Sequence, residues 1–377
     1  MSRLEPATVV APGPGAGPFG VYVHVPFCAS RCDYCAFATW TDRDHLMADY
    51  AEACVQEMLR ARSEEAIPEA TSVFVGGGTP SRLDGALFGR VLDAIGRHPD
   101  AEVTAECNPE GASAELFGHW RAAGVTRVSF GVQSMVPHVL ESLGRHHLPS
   151  SVAPAVALAA EAGFEVNVDL IFGAAAEDDG DWERTLAEVL ALDPRPRHVS
   201  AYALTVEPGT PLARDPARHP DDDVQARRYR RADAVLEAAG MRWYEVSNWA
   251  VPGYECRHNL LYWAQGDYRG VGCAAHSHRQ GRRWWNIRTP ERYVAAVRAG
   301  RSTTAGEEHL DDHQRAFEAL ALALRTSGGV PGEAVPDDPD LEGLVDMEGG
   351  RAVLTARGRL LANAVTARLQ VPTILRP

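Results

Sequence analysis

Tyr22-Val23-His24-Val25-Pro26-Phe27-Cys28-Ala29-Ser30-Arg31-Cys32-Asp33-Tyr34-Cys35-Ala36-Phe37 is the stretch from which the rest of the chain is read. Its first half is apolar and β-prone, as a buried strand requires. Its second half is a loop carrying three cysteines in the spacing C-x3-C-x2-C. Three thiolates on one short loop can converge on a single cluster and leave one metal position free of protein. A structural zinc site closes its shell with four ligands, and iron–sulfur clusters are commonly held by four cysteines. Three ligands plus a vacancy point to a [4Fe–4S] cluster with one open iron, rather than to three unrelated thiols beside a strand end.

Working outward, Asp44 to Arg62 has helical apolar spacing through Leu46, Tyr50, Cys54 and Leu59, and Cys54 fits that packed face. The next strand, Ser72 to Val75, runs into Gly76-Gly77-Gly78-Thr79-Pro80, where glycines let backbone N–H groups approach a ligand. Strand and helix then alternate. Strands are expected at Glu102–Cys107, Thr126–Ser134, Glu165–Gly173, His198–Leu204 and Arg242–Val246. Helices are expected at Leu83–Gly96, Ser113–Ala123, Val152–Ala162, Trp182–Leu192 and Val224–Ala239, with a helical stretch around Leu143–His147. This alternation predicts parallel βαβ units, about six of them, and hence an α/β partial, open parallel barrel. Ligands of such folds sit at the C-terminal strand ends. Glu106, Gln133, Arg145 and Asp169 all fall there, on successive units.

The cysteine spacing, Tyr34 between the last two cysteines and the glycine triplet resemble those of the radical S-adenosylmethionine (radical SAM) family over roughly residues 20–240. Within it, the chain resembles the branch that contains oxygen-independent coproporphyrinogen III oxidases and HemW-type haem chaperones. The resemblance implies cluster ligation by Cys28, Cys32 and Cys35, with the open iron chelated by S-adenosylmethionine (SAM). It implies further cofactor contacts from Tyr22, Tyr34, Gly77, Gly78, Thr79, Glu106, Gln133, Arg145 and Asp169, and from the backbone of Ala203 beside the adenine. Arginine suits the methionine carboxylate, carboxylates suit ribose hydroxyls, and the glycine backbone suits the amino group. After the fifth strand, Phe172-Gly173-Ala174-Ala175 departs from the Gly-Leu-Pro usual there. The oxidases carry a fourth cysteine two residues after the third, where this chain has Phe37, and an N-terminal extension ahead of the first strand, which here is expected near residue 20. Both features resemble the chaperones.

Past residue 245, His258-Asn259-x-x-Tyr262-Trp263 matches the H-N-x-x-Y-W signature of HemW-type proteins. Imidazole can ligate haem iron, and aromatic faces can cover a macrocycle, so His258 is the candidate haem ligand. Cys256, Cys273 and His276 have spacing unsuited to a compact zinc site. Trp284-Trp285-Asn286 is read as packing between domains. The expected division is a flexible tail over 1–18, a radical SAM core over 19–245, a connecting segment over 246–300 and a small C-terminal domain over 301–377. That last domain is winged-helix-like by resemblance, with helices from Asp311 and from Thr355, its N-cap.

Composition limits the rest. Apolar residues are 45% and charged residues 23% of 377, as in globular proteins. The net charge of −14 and the acidic C-terminal domain argue against nucleic-acid binding. All 37 basic residues are arginine, which excludes a lysine Schiff base and with it pyridoxal-phosphate chemistry. Seven cysteines without a disulfide framework indicate a reducing compartment. With no signal-peptide pattern and no membrane-length apolar run, the expectation is a cytoplasmic protein that is not integral to a membrane. The reading is thus a haem chaperone holding a [4Fe–4S] cluster, SAM and haem, with no catalytic residue assigned. Its partners are haem and haem-accepting proteins, membrane-associated ones included, and it admits a homodimer. The alternative is a coproporphyrinogen III dehydrogenase.

Overall fold

A computed structural model describes residues 17–372; most of the expected tail lies outside the described residues. Six strands follow one another in chain order and in space: β1 (Phe19–Val25), β2 (Ala70–Gly77), β3 (Arg97–Cys107), β4 (Arg127–Gln133), β5 (Glu165–Phe172) and β6 (His198–Ala203). Every neighbouring pair is parallel. The crossovers carry α1 (Met47–Glu64), α2 (Gly85–Ala94), α3 (Ala114–Ala122), α4 (Pro137–Ser142), α5 (Val152–Glu161) and α6 (Asp179–Leu190), and α7 (Asp222–Ala238) follows β6. Asp84, Ser113, Asp178 and Asp221 cap α2, α3, α6 and α7 with side-chain oxygens. The helical stretch expected around 143–147 is instead a loop, since α4 ends at Ser142.

Residues 246–300 do more than connect. With β7 (Arg242–Glu245) and β12 (Thr304–His309), they extend the sheet at both ends. At one end, β8 (Asn248–Ala250) lies antiparallel between β6 and β7. The chain then crosses back through α8 (Arg257–Trp263). At the far end, β9 (Asp267–Val271) pairs parallel with β1, followed outward by β10 (His276–Arg279), β11 (Arg282–Asn286) and β12; α9 (Pro290–Arg298) packs on α1. The result is a twelve-stranded open sheet. Trp284 and Trp285 sit on β11, under Arg269 and Arg282 and against His276 respectively, and pair with Glu307 and Gly306 of β12.

The small C-terminal unit joins α10 (Asp312–Ala323) to a three-stranded sheet of β13 (Val330–Pro331), β14 (Val345–Glu348) and β15 (Arg351–Leu354). Then come α11 (Ala356–Leu360) and α12 (Ala362–Thr366). Thr355 caps α11, accepting from Gly358 N at 3.0 Å, and the unit has its own apolar core around Leu324, Val330 and Val365.

Parallel sheets are normally apolar on both faces. Here one face, with Val23, Val75, Val103, Phe130, Val168 and Val199, packs under the helices against residues such as Leu92, Trp120 and Trp182. The alternate residues on the other face are Ser72, Glu102, Thr104, Glu106, Arg127, Ser129, Asn167, Asp169, His198 and Ser200. Strand periodicity of two makes this separation inevitable. A polar inner face needs hydrogen-bond partners, so the sheet curls around a ligand-sized space rather than a dry core.

Candidate functional site

A cavity of about 640 Å³ lies against the inner face at the C-terminal strand ends. Its wall contains Cys28, Cys32, Cys35, Tyr34, Gly77, Gly78, Thr79, Glu106, Gln133, Arg145, Asp169 and Ala203. Residues from six successive strand ends and their following loops are thereby brought together. Tyr22 and His258 are not in the wall.

The cysteine loop is fixed at both ends. Cys28 N donates to Trp40 O at 3.0 Å and Trp40 N to Pro26 O at 2.8 Å. Asp33 N donates to Leu143 O at 3.2 Å, while Asp33 O accepts from Leu212 N at 3.0 Å. The Asp33 carboxylate pairs with Arg218 at 2.7 Å. The three thiols are half-buried, and burial raises the thiol pKa of Cys28 and Cys35. Gly78 has no room for a side chain: a Cβ would stand 2.7 Å from Val25 O and 3.0 Å from Cys28 Sγ. Gly77 adopts φ +107°, and a Cβ there would meet the His24 ring at 2.4 Å. Among the described residues, no three Cys, His, Asp or Glu side chains gather closely enough to chelate one ion. An [4Fe–4S] cubane asks for something else, a separate iron for each thiolate, and a loop presenting three thiols to an open cavity fits that demand.

Arg145 lies between the cysteines and the strand ends. It donates to Cys32 Sγ at 3.5 Å, Asn108 Oδ1 at 2.7 Å and Gly131 O at 3.0 Å. Its Nε is buried with no partner among the described residues, a donor left over for an anionic group. Gln133 has φ +63°, uncommon for a residue with a side chain, at a register shift between β4 and β5. That bulge turns the end of β4 towards the cavity. The Glu106 carboxyl accepts from Gly77 N at 3.1 Å, and burial, with Asp169 nearby, pushes its pKa up to about 8. Asp169 accepts from Ser129 at 2.7 Å and Asn167 at 2.9 Å; burial raises its pKa despite those bonds. Two enclosed carboxyls that can accept, one unspent guanidinium N–H that can donate and a glycine backbone suit a SAM-sized zwitterion with ribose hydroxyls.

Tyr22 and His258 lie behind the wall rather than in it. The Tyr22 hydroxyl donates to His24 Nδ1 at 3.0 Å, because His24 Nε2 already donates to Ala38 O at 2.9 Å. Tyr22 therefore supports the wall from behind, stacked on Phe74 at 6.5 Å between centroids. His258 is 1% exposed, with Nδ1 at 3.0 Å from Ser72 Oγ and Nε2 at 2.9 Å from Tyr262 OH. Burial pushes its pKa down to about 3. Both nitrogens of this imidazole are engaged within the protein. It belongs to an aromatic row, Tyr22, Phe74, His258, Tyr262 and Tyr268, that plugs the barrel below the cavity.

Sequence reasoning gave no role to several residues that shape the site. Asn108 follows β3 and holds Arg145. Cys107 and Cys256 are buried yet touch the cavity wall. Tyr202, His146 and Phe37 border its mouth. The loop after β5 is set by Glu177, which accepts from Gly173 N at 2.7 Å and pairs with buried Arg228 at 2.7 Å. Asn108 could have been suspected from its place at a strand end; the Arg218–Asp33 pair, 185 residues apart, left no sequence signal.

The Radical SAM superfamily matches residues 22–189. The protein named heme chaperone HemW of Mycobacterium tuberculosis is 45% identical over 379 residues, covering 96% of each chain. Its namesake in Bacillus subtilis is 30% identical over 369 residues, covering 91% of this chain and 97% of its own. The solved structure of coproporphyrinogen III oxidase (HemN) from Escherichia coli superposes with a TM-score of 0.81 at 22% identity, covering 93% and 89% of the two chains. That likeness shows the fold. The relatives show the family: this chain belongs to the radical SAM superfamily, within the group named heme chaperone HemW.

Proposed function

We propose that the chain is a cytoplasmic haem chaperone that holds a [4Fe–4S] cluster on Cys28, Cys32 and Cys35, binds SAM in the adjoining cavity and transfers haem to acceptor proteins. The 45% identity, over nearly the full length, to a protein named a heme chaperone supports the haem cargo. The observation that carries the reading is the cysteine loop, whose three thiols line one open cavity with Phe37 where the related oxidases place a fourth cysteine. When bound, the cluster supplies one-electron chemistry and an open iron to which SAM can attach.

The chain's own residues have distinct duties in this reading. Arg145 turns its unpartnered Nε towards the methionine carboxylate in a charge-assisted bond. Glu106 and Asp169 accept from ribose hydroxyls, and Gly77 to Thr79 receive the amino group. Ala203 closes the adenine side. Polar residues deeper on the inner face, Thr104 and Arg127 among them, keep buried atoms without partners among the described residues.

The test is anaerobic reconstitution followed by haem titration, SAM calorimetry and a coproporphyrinogen III assay on one sample. The expected result is haem and SAM binding, haem transfer to an apo-haemoprotein and no protoporphyrinogen. Robust SAM-dependent formation of protoporphyrinogen reverses the reading in favour of a dehydrogenase.

A further inference from the structure

We propose that His146 is the axial ligand this chain offers to haem iron, at the mouth of the cavity beside the cysteine loop. The inference rests on the haem-chaperone reading and gives it an address. Two histidines among the described residues line the cavity, His146 and His198. His198 is buried, with Nδ1 on Asn167 and Nε2 on Tyr244 OH at 2.7 Å. His258 lies outside the wall with both nitrogens occupied. His146 is exposed, and no side chain among the described residues hydrogen-bonds its ring. A lone pair for iron is therefore available there, and coordination breaks no hydrogen bond of the fold.

Position and surroundings agree with that assignment. The loop bearing His146 is stitched to the cysteine loop by Asp33 N on Leu143 O and by Arg145 on Cys32 Sγ. Six large apolar side chains among the described residues are exposed, and two of them border this one opening, Phe37 at 64% and Tyr202 at 41%. Large exposed apolar groups scattered singly need no explanation, but a cluster marks a binding surface. The exposed guanidinium of Arg31 stands in the same wall. An occupant that uses all of this is flat and apolar, carries carboxylates for the arginine, and bears a metal that accepts imidazole. An iron tetrapyrrole has that chemistry. Axial coordination adds one N–Fe bond in place of a water on iron, with no change of oxidation state.

The experiment titrates hemin into reconstituted full-length protein and follows the Soret band. Wild type is expected to give an imidazole-ligated spectrum. His146→Ala should shift or lose that band, and free imidazole should restore it. His258→Gln, with folding verified by circular dichroism, should retain the wild-type spectrum. Phe37→Ala should weaken binding without moving the band. A wild-type spectrum in His146→Ala, or its loss in folded His258→Gln with His146 intact, overturns the assignment while leaving the chaperone reading in place. Failure of the wild type to bind hemin at all overturns both.

Discussion

The cysteine loop and the H-N-x-x-Y-W segment are both short, motif-bearing stretches, and the structure treats them in opposite ways. On the loop and beside it, functional atoms are left open: three half-buried thiols face a cavity, the neighbouring Arg145 Nε has no partner among the described residues, and the backbone is pinned from neighbouring elements. On α8, polar atoms are spent. The His258 ring bonds Ser72 and Tyr262, its backbone N–H donates to Glu102 Oε1 at 3.2 Å, and Cys256 N donates to Tyr244 OH at 3.3 Å. Asn259 and Trp263 turn to the buried Glu245 carboxyl. A motif whose groups are satisfied internally builds the scaffold; one whose groups are not builds a site.

The sharpest way to break this contrast is to remove the thiols. Cys28→Ala, Cys32→Ala or Cys35→Ala should each abolish a stable [4Fe–4S] centre, read by iron, sulfide and visible absorbance after reconstitution. Cys54→Ala, Cys256→Ala and Cys273→Ala should keep it. Retention in Cys35→Ala together with loss in Cys256→Ala would place the cluster on the other region.

The plug should fail differently. His258→Ala strands Ser72 and Tyr262 and opens a void inside the aromatic row, so stability should fall by about 2–4 kcal/mol. A urea midpoint shifted that far, with cluster content unchanged in the folded fraction, is the expected outcome. An unchanged midpoint would mean that α8 is not held as the hydrogen bonds indicate.

Within the open region, Arg145→Ala should weaken SAM binding by about 1.5–3 kcal/mol if its guanidinium meets the carboxylate. Calorimetry on the reconstituted variant reads it, with cluster content as the control. Affinity equal to wild type would strike Arg145 from the SAM site.

Much of this was legible because it follows from local periodicity. The six parallel strands were visible from alternating apolar runs, and their ends from Glu106, Gln133 and Asp169, which lie near the C-terminal ends of β3, β4 and β5. Boundaries moved where caps and bulges intervene: β3 begins at Arg97, five residues ahead of its expected start, and β4 bulges before Gln133. The orientation of Tyr22 and His258 was not legible, because a sequence motif gives a residue's type and neighbours but not which nitrogen or hydroxyl is already engaged. Nor was the course of 246–300, whose pairing with β6 at one edge and β1 at the other is set by contacts far apart in the chain. His146 was passed over for a similar reason. Beside Arg145 it read as part of a helix, and only the loop after α4 turns it to the cavity mouth.

The smallest expected effect separates the open region from the closed one by pH. Burial, with Asp169 nearby, raises the Glu106 pKa to about 8, so in the empty protein this carboxyl is protonated at neutral pH. A carboxyl whose pKa is raised on folding stabilises the fold fully below its unfolded value, near 4.3, and that contribution is lost as pH climbs through about 8. SAM binding runs the other way. If Glu106 must be a carboxylate to accept from the ribose, affinity should rise about tenfold between pH 7 and pH 9, following the deprotonated fraction. Glu106→Gln should flatten that rise. His258, driven down to about 3, stays neutral across the same window, so His258→Gln should leave the slope intact. A pH-independent wild-type affinity would mean that Glu106 binds SAM as the neutral acid, donating where this assignment has it accept.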